Sequence, residues 1–404
     1  MAERSGFWQF LRRSIPGTIW AIGVSSLLMN LATSVVFSGS ALYLKTILGV
    51  ATSTIGFIEA IVEAVAYAIR IFSGVISDYF KRRKALMVIG FIMLTISKPL
   101  LAFSRTFIGV FFARTIDRIG NGIQASPREA LISDSAPKQV KGACFGLRQS
   151  LAVIGSTLGG IFGIVVMKLT NDDFQLLFLF AAIPAALATV VLTIFVKEKL
   201  DESKSVAKRR KIKLKDLHLL GKKFWLFMVV AAVFMLGRFS EIFISLHACG
   251  NFGLDVAYGT VITMIYNLLS TLVAFPVGRL SDRMNRTNLL LVGFLILLFA
   301  HISIGCANNL NWVLFGTVLW GAQRGITEGI LSVVVSDYVP KELRGTGFGI
   351  YYLVVSVSTA VASAVAGVIS QQSGEGAAFL FGGVVCLFAL LLLFAVRRFL
   401  SKKD

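Results

Sequence analysis

Apolar residues arrive along this chain in long blocks, not in alternating or short amphipathic patterns. Twelve blocks approach or exceed the roughly 20 residues that a helix needs to cross a hydrocarbon layer. They cover 18–44, 53–76, 85–103, 107–135, 145–169, 174–196, 224–248, 256–278, 288–306, 312–336, 346–370 and 376–397. Each is expected to be one helix, because a segment in lipid must satisfy its own backbone hydrogen bonds. The first is too long for the core of a secretion signal and reads as the first span. Connections are short except at 197–223, a polar stretch. The pattern therefore predicts an all-α membrane protein with twelve transmembrane helices in two six-helix, pseudo-symmetric bundles. Residues 1–196 form the N-terminal bundle, 197–223 a linker and 224–404 the C-terminal bundle.

Composition excludes a soluble fold. Hydrophobic residues make up 56% and charged residues 15%, far from the balance of a water-soluble domain. Glycine is frequent (37) and proline scarce (7), as close helix packing in lipid favours. The formal charge of +19 would suggest nucleic acid in a soluble protein. Here the cations stand mainly in the connections, so the expected partner is the lipid bilayer and not nucleic acid. Eleven Lys and Arg lie in 197–223, whereas the odd-numbered connections carry only Lys45, Arg105 and Lys168. Positive segments stay in the cytoplasm, which places both termini and the linker there. Cys144, Cys249, Cys306 and Cys386 have no metal or redox spacing. Free thiols are expected, including at Cys249 and Cys306, and neither a metal nor a cofactor is implied.

The two halves repeat. ISDSAPKQVKGACFG at 132–146 aligns with VSDYVPKELRGTGFG at 335–349, with identities at Ser133/Ser336, Asp134/Asp337, Pro137/Pro340, Lys138/Lys341, Gly142/Gly345, Phe145/Phe348 and Gly146/Gly349. A second pair matches Gly74, Ser77, Asp78 and Arg82 with Gly278, Ser281, Asp282 and Arg286. Two motifs at nearly one offset mark a duplicated six-helix unit, with parallel halves.

Twelve spans, two repeats, a basic middle stretch and G-x-x-x-D-x-x-x-R after spans 2 and 8 resemble the major facilitator superfamily. The likeness covers essentially the whole chain. DRIGNGIQASPREALISDS in span 4 is similar to a recurring signature of its bacterial members. The resemblance implies a secondary transporter of the bacterial inner membrane, functional as a monomer. It also implies that Gly74, Asp78, Arg82 and their counterparts Gly278, Asp282, Arg286 latch an outward-facing state. The alternative is that these charges only set topology. Drug/proton antiporters of the superfamily carry a Gly-Pro-x-x-Gly-Gly element in span 5. Here Gly155-Ser156-Thr157-Leu158-Gly159-Gly160 lacks the proline.

Charges at bilayer depth are costly, about 2.5–3.5 kcal/mol each at the least, and usually face a cavity or a partner. In span 4, Arg114, Asp117, Arg118, Asn121, Gln124 and Arg128 follow steps of three and four. They form one polar stripe, which lines either a water-filled pathway or a buried network. Span 7 carries Arg238 and Glu241, span 10 Gln323, Arg324, Thr327 and Glu328, and span 1 Asn30. The resemblance implies that spans 1, 4, 7 and 10 line a central cavity. Asp117 is expected beside Arg114 or Arg118, and Glu241 beside Arg238, while Arg118 and Arg324 have no evident surplus of acid. Arg114, Arg118, Arg238 and Arg324, with Asn30 and Gln323, are the candidate substrate contacts. Arginine suits bidentate binding of carboxylate or phosphate, so the solute is expected to be an organic anion, such as a carboxylate metabolite or a siderophore-like chelate. Asp117, Glu241, Glu328, Glu59 and Glu63 are the candidates for coupling to protons, although Glu59, Glu63 and Arg70 equally suit a structural ion-pair network. Lys98 and Arg148 read as packing or interface residues, and His218, His247 and His301 form no relay.

Neither a Walker loop nor a nucleophile–base pair or metal cluster is present in the sequence, so the chain is not expected to be an enzyme or an ATP-driven pump. The alternatives to an anion carrier are a proton antiporter for drugs or toxic metabolites, and a sensor built on a transporter fold.

Overall fold

The computed structural model describes residues 14–50, 52–198, 214–252 and 256–401. The expected linker falls largely outside the described residues, as do the side chains of Glu59 and Cys249. Thirteen α-helices are found among the described residues, and no strands. They are α1 (Gly17–Thr46), α2 (Thr52–Phe80), α3 (Arg83–Ala102), α4 (Phe107–Ser135), α5 (Lys141–Leu169), α6 (Phe174–Phe195), α7 (Gly221–Leu236), α8 (Ile242–Phe252), α9 (Val256–Leu280), α10 (Arg286–Gly305), α11 (Leu310–Tyr338), α12 (Arg344–Ser373) and α13 (Glu375–Ser401). Among the described residues, nine helices are long and apolar enough to cross a membrane. The long helices α2, α4 and α11 are not among them; α4 and α11 bury their polar residues against neighbours.

The expected seventh span, 224–248, is not one helix. It stops at Leu236 and resumes at Ile242, so Arg238 and Glu241 stand on a break and not on a common helical face.

Two compact units emerge. The first comprises Met1–Lys138, Leu151–Leu217 and Pro340–Tyr352, the second Gln139–Ser150, His218–Val339 and Leu353–Asp404. In the first unit α4 packs on α3 and α2, and α1 on α6. In the second α11 packs on α9 and α10, and α13 on α10 and α7. Small residues permit these approaches. A Cβ at Gly122 would stand 2.7 Å from the Ala66 carbonyl oxygen, and one at Gly325 2.6 Å from that of Ser270. Those are matching positions of the two repeats.

Local signals bound the two polar helices in the same way. Thr106 caps α4 by accepting from the Gly109 amide at 3.2 Å. Asn309 caps α11 by accepting from the Trp312 amide at 3.3 Å. An N-cap oxygen satisfies amides that have no partner within the helix. Pro137 and Pro340 follow the C-terminal ends, where a residue that cannot extend the helix is at home.

Candidate functional site

In the first unit the chemistry centres on α4. Asp117 is fully buried, and its closest partner is the Lys98 ammonium on α3 at 2.6 Å, itself fully buried. Ser97 donates to the same carboxylate at 3.1 Å. Of the two expected roles for Lys98, the one between helices holds: in the membrane interior its charge needs a counter-ion, and α4 supplies it. Arg118 lies 3.6 Å from both Asp117 and Glu63 and 5.9 Å from the centre of the Phe37 ring. Arg114 is buried, donates to the Val36 carbonyl at 3.4 Å and stacks over Phe37 at 5.3 Å. Its neighbourhood matches the cation–π attraction expected over an aromatic face.

The lower half of the stripe is a buried network. Arg128 donates to Gln124 at 2.9 Å and to Glu129 at 3.1 Å, and Tyr352 of α12 donates to Glu129 at 3.0 Å. Arg70 donates to Asn121 at 3.2 Å and lies between the Tyr67 and Tyr352 rings, at 5.0 and 5.2 Å. Sequence reasoning missed Glu129. The signal was present, an acid inside a span directly after Arg128.

In the second unit Glu328 of α11 is the hub. It accepts from Arg238 and from Arg324 Nε, each at 2.9 Å, and from Gln149. Arg324 Nη1 donates to the Tyr266 hydroxyl at 2.5 Å, and the guanidinium stacks over that ring at 4.9 Å. Glu241 lies 3.8 Å from Arg324 Nη1 and is 44% exposed. The expected Glu241–Arg238 pairing is thus crossed: Arg238 goes to Glu328, and Glu241 to Arg324. Arg324 has two carboxylates beside it, not a lack of acid. The reason is the break after Leu236, which removes the common face that an i, i+3 pair needs.

Two further clusters gather loop charges. Asp78 accepts from the amides of Gly345 at 2.9 Å and Thr346 at 2.6 Å, in the first turn of α12. Asp282 accepts from the amides of Gly142 at 2.6 Å and Ala143 at 2.9 Å, in the first turn of α5. Carboxylates are stabilised at helix N-termini, where free amides and the helix dipole point outward. A Cβ at Gly278 would sit 2.6 Å from the Gly142 carbonyl oxygen, and Gly74 abuts Gly345 in the same manner. Burial pushes the Asp282 carboxyl above the usual carboxylate range, although the two amides and Arg286 act in the opposite sense.

The arginine of the first cluster is Arg83, not Arg82. Arg83 pairs with Asp134 at 2.7 Å and lies 3.6 Å from Asp78, whereas Arg82 is exposed. In the second cluster Arg286 pairs with Asp337 and lies 3.7 Å from Asp282. Arg344 pairs with Asp134, and its counterpart Lys141 with Asp337 at 3.0 Å. Arg83 and Arg286 each open the following helix, but Arg83 stands five residues after Asp78 and Arg286 four after Asp282, and Lys81 in the longer stretch adopts a left-handed φ of 53°. That extra residue hands the role to the next arginine.

Two expected solute contacts sit differently. Asn30 donates to the Ser26 carbonyl of its own helix at 2.7 Å, and Gln323 is fully buried, donating to Thr327 at 2.9 Å. Glu63 is 34% exposed. Cys144, Cys306 and Cys386 are free thiols. Among the described residues no group of His, Cys, Asp and Glu has the arrangement of a metal site.

Comparison with known proteins agrees with this architecture. The sequence model of the Major Facilitator Superfamily matches residues 22–262 and 242–404. An uncharacterized MFS-type transporter of Methanocaldococcus jannaschii is 27% identical over 390 residues, covering 95% of this chain and 96% of the relative. The human organic anion transporter MFSD10 superposes with a TM-score of 0.79 at 18% identity, over 93% of this chain and 99% of its own. The transporter FucP in its outward conformation gives 0.74 at 14% identity, over 96% and 100%. The chain belongs to the major facilitator superfamily: it is an integral membrane protein with the twelve-helix fold of that family, and a secondary transporter of small molecules rather than an enzyme.

Proposed function

We propose that this transporter carries an organic anion, with Arg324 and Arg118 as its principal contacts. One observation carries the reading. Arg324 is fixed by Glu328 through Nε and by Tyr266 through Nη1 and the ring face. None of these bonds uses Nη2, and 23% of the side chain stays exposed. A guanidinium held on one edge and open on another is prepared to take an oxyanion.

The same geometry suggests how a proton enters the cycle. Glu63 and Glu241 each lie at loose distance from one of these arginines, 3.6 and 3.8 Å, and both are partly exposed. A solute anion that engages the arginine displaces its carboxylate. Glu63 and Glu241, released from their arginines in this way, are the candidates for coupling to protons. Asp117 and Glu328, locked in closer pairs at 2.6 and 2.9 Å, are then structural counter-ions. The moving bodies are the six-span halves 1–196 and 224–404, joined by 197–223, with both termini in the cytoplasm of a bacterial cell. Asp78 and Asp282 hold one end of the alternating-access cycle through their helix N-terminal contacts.

Uptake of radiolabelled citrate and succinate into proteoliposomes under an imposed pH gradient tests the reading. Saturable uptake lost in Arg324→Ala and Arg118→Ala supports it. Transport confined to hydrophobic cations, unchanged in both variants, replaces it with drug efflux.

A further inference from the structure

We propose that His301 and Phe239 are positioning residues that hold the break in the seventh span, and so set the geometry of Arg238 and Glu241 around Glu328 and Arg324. The inference rests on the anion reading for its functional consequence, but its structural part stands by itself.

A break at membrane depth leaves backbone groups that water cannot satisfy, so each needs a partner from the protein. In a continuous helix the Gly237 carbonyl would accept from the amide of Glu241, and the Ser240 amide would donate to the carbonyl of Leu236. Both bonds are replaced by side chains. His301 Nε2 of α10 donates to the Gly237 carbonyl at 2.8 Å, and the Ser240 amide donates to Ser363 Oγ of α12 at 3.1 Å. Since a carbonyl only accepts, the bond fixes the imidazole proton on Nε2. The chain ends on either side are stitched locally, by Arg238 N to the Met235 carbonyl at 3.1 Å and Ile244 N to the Glu241 carbonyl at 3.1 Å.

Phe239 anchors the segment. Its buried ring lies 5.5 Å from the His301 ring, 5.6 Å from Trp320 of α11 and 5.1 Å from Phe379 of α13. These spacings are those of edge-to-face and tilted aromatic pairs. Gly382 of α13 makes room for the box, because a Cβ there would stand 2.9 Å from the Phe239 ring. Flanking this anchor, Arg238 reaches Glu328 at 2.9 Å, and Glu241 lies 3.8 Å from Arg324. The box and the imidazole therefore decide which acid each arginine meets.

Hydrogen–deuterium exchange of the amides of 238–242 in the purified full-length protein tests this, together with citrate uptake in proteoliposomes. His301→Phe keeps the ring but removes the donor; it should raise exchange in this segment about tenfold and raise the KM for citrate more than it lowers the maximal rate. His301→Gln, whose amide can still donate to Gly237, should stay within about threefold of wild type in exchange. A merely structural histidine would loosen the whole protein without local exchange or rescue by glutamine. If His301→Phe folds and 238–242 exchanges as in wild type, the inference is overturned. If it does not fold, Ser363→Ala is read in the same way, and unchanged exchange there overturns it. Citrate uptake that is insensitive to Arg324→Ala removes the anion reading and leaves the exchange result to decide the break.

Discussion

Arg83 binds Asp134 at 2.7 Å while Arg82, its neighbour and the better match in the repeated motif, is exposed. The ion pair belongs to a set that recurs in the second unit as Arg286 with Asp337. A motif position thus differs from the position that carries the contact by one residue, and the left-handed Lys81 accounts for the slip.

This makes a stability contrast measurable. Arg83→Ala should lower thermal stability by about 1–3 kcal/mol, less than a fully buried pair because Asp134 keeps Arg344 and is partly exposed. Arg82→Ala should stay within about 0.5 kcal/mol, as surface substitutions do. Melting curves of both variants in one detergent decide it, and equal effects would return the role to Arg82.

Glu328 and Glu241 differ in what they hold. Glu328→Ala leaves two guanidinium groups without their shared acceptor and should cost about 3–5 kcal/mol. Glu241→Ala removes one long contact to a partly exposed carboxylate and should cost less than about 1 kcal/mol. Reversal of that order in thermal melts would show that the hub is misassigned.

Lys98 and Asp117 invite a double-mutant cycle. Asp117→Asn leaves the buried Lys98 without its carboxylate, and Lys98→Met leaves Asp117 only the longer contact to Arg118 at 3.6 Å; each should destabilise, the first by about 3–5 kcal/mol. The double variant should recover part of that loss, with a coupling of about 1–3 kcal/mol. Additive losses would mean that the two side chains do not depend on each other.

Asp282 gives a pH signature. Its carboxyl is raised above the usual range, mainly by burial. The folded state therefore favours the protonated form. That contribution is complete below the ordinary carboxylate value and is lost as pH rises through the raised one. Relative to Asp282→Asn, wild type should lose melting temperature as pH rises above the ordinary carboxylate value of about 4. A constant difference above that value would show that the carboxyl is not perturbed.

Much of the site was legible before any coordinates. The stripe of span 4 is visible because charged side chains at helical spacing inside an apolar block have no other explanation than a shared buried face. Asp78 and Asp282 were legible because the repeat places them identically before a turn. Asp117 does stand beside Arg118, at 3.6 Å, as its place in the stripe implies, but the other pairings were not legible. Lys98 lies on a different helix from Asp117, and the i, i+3 spacing that assigns Glu241 to Arg238 fails where the helix breaks.

Linear pattern by itself determined the membrane-protein class, the duplication and the family, because lipid demands long apolar helices and a duplicated gene leaves aligned motifs. Tertiary structure alone decided the pairings: the Lys98–Asp117 bond, the crossed partners of Glu328, and the break between Leu236 and Ile242. The physical reason is that a charge in the membrane interior chooses its partner by distance across helices. A broken helix, likewise, survives only where His301 and Ser363, far along the chain, replace its missing hydrogen bonds.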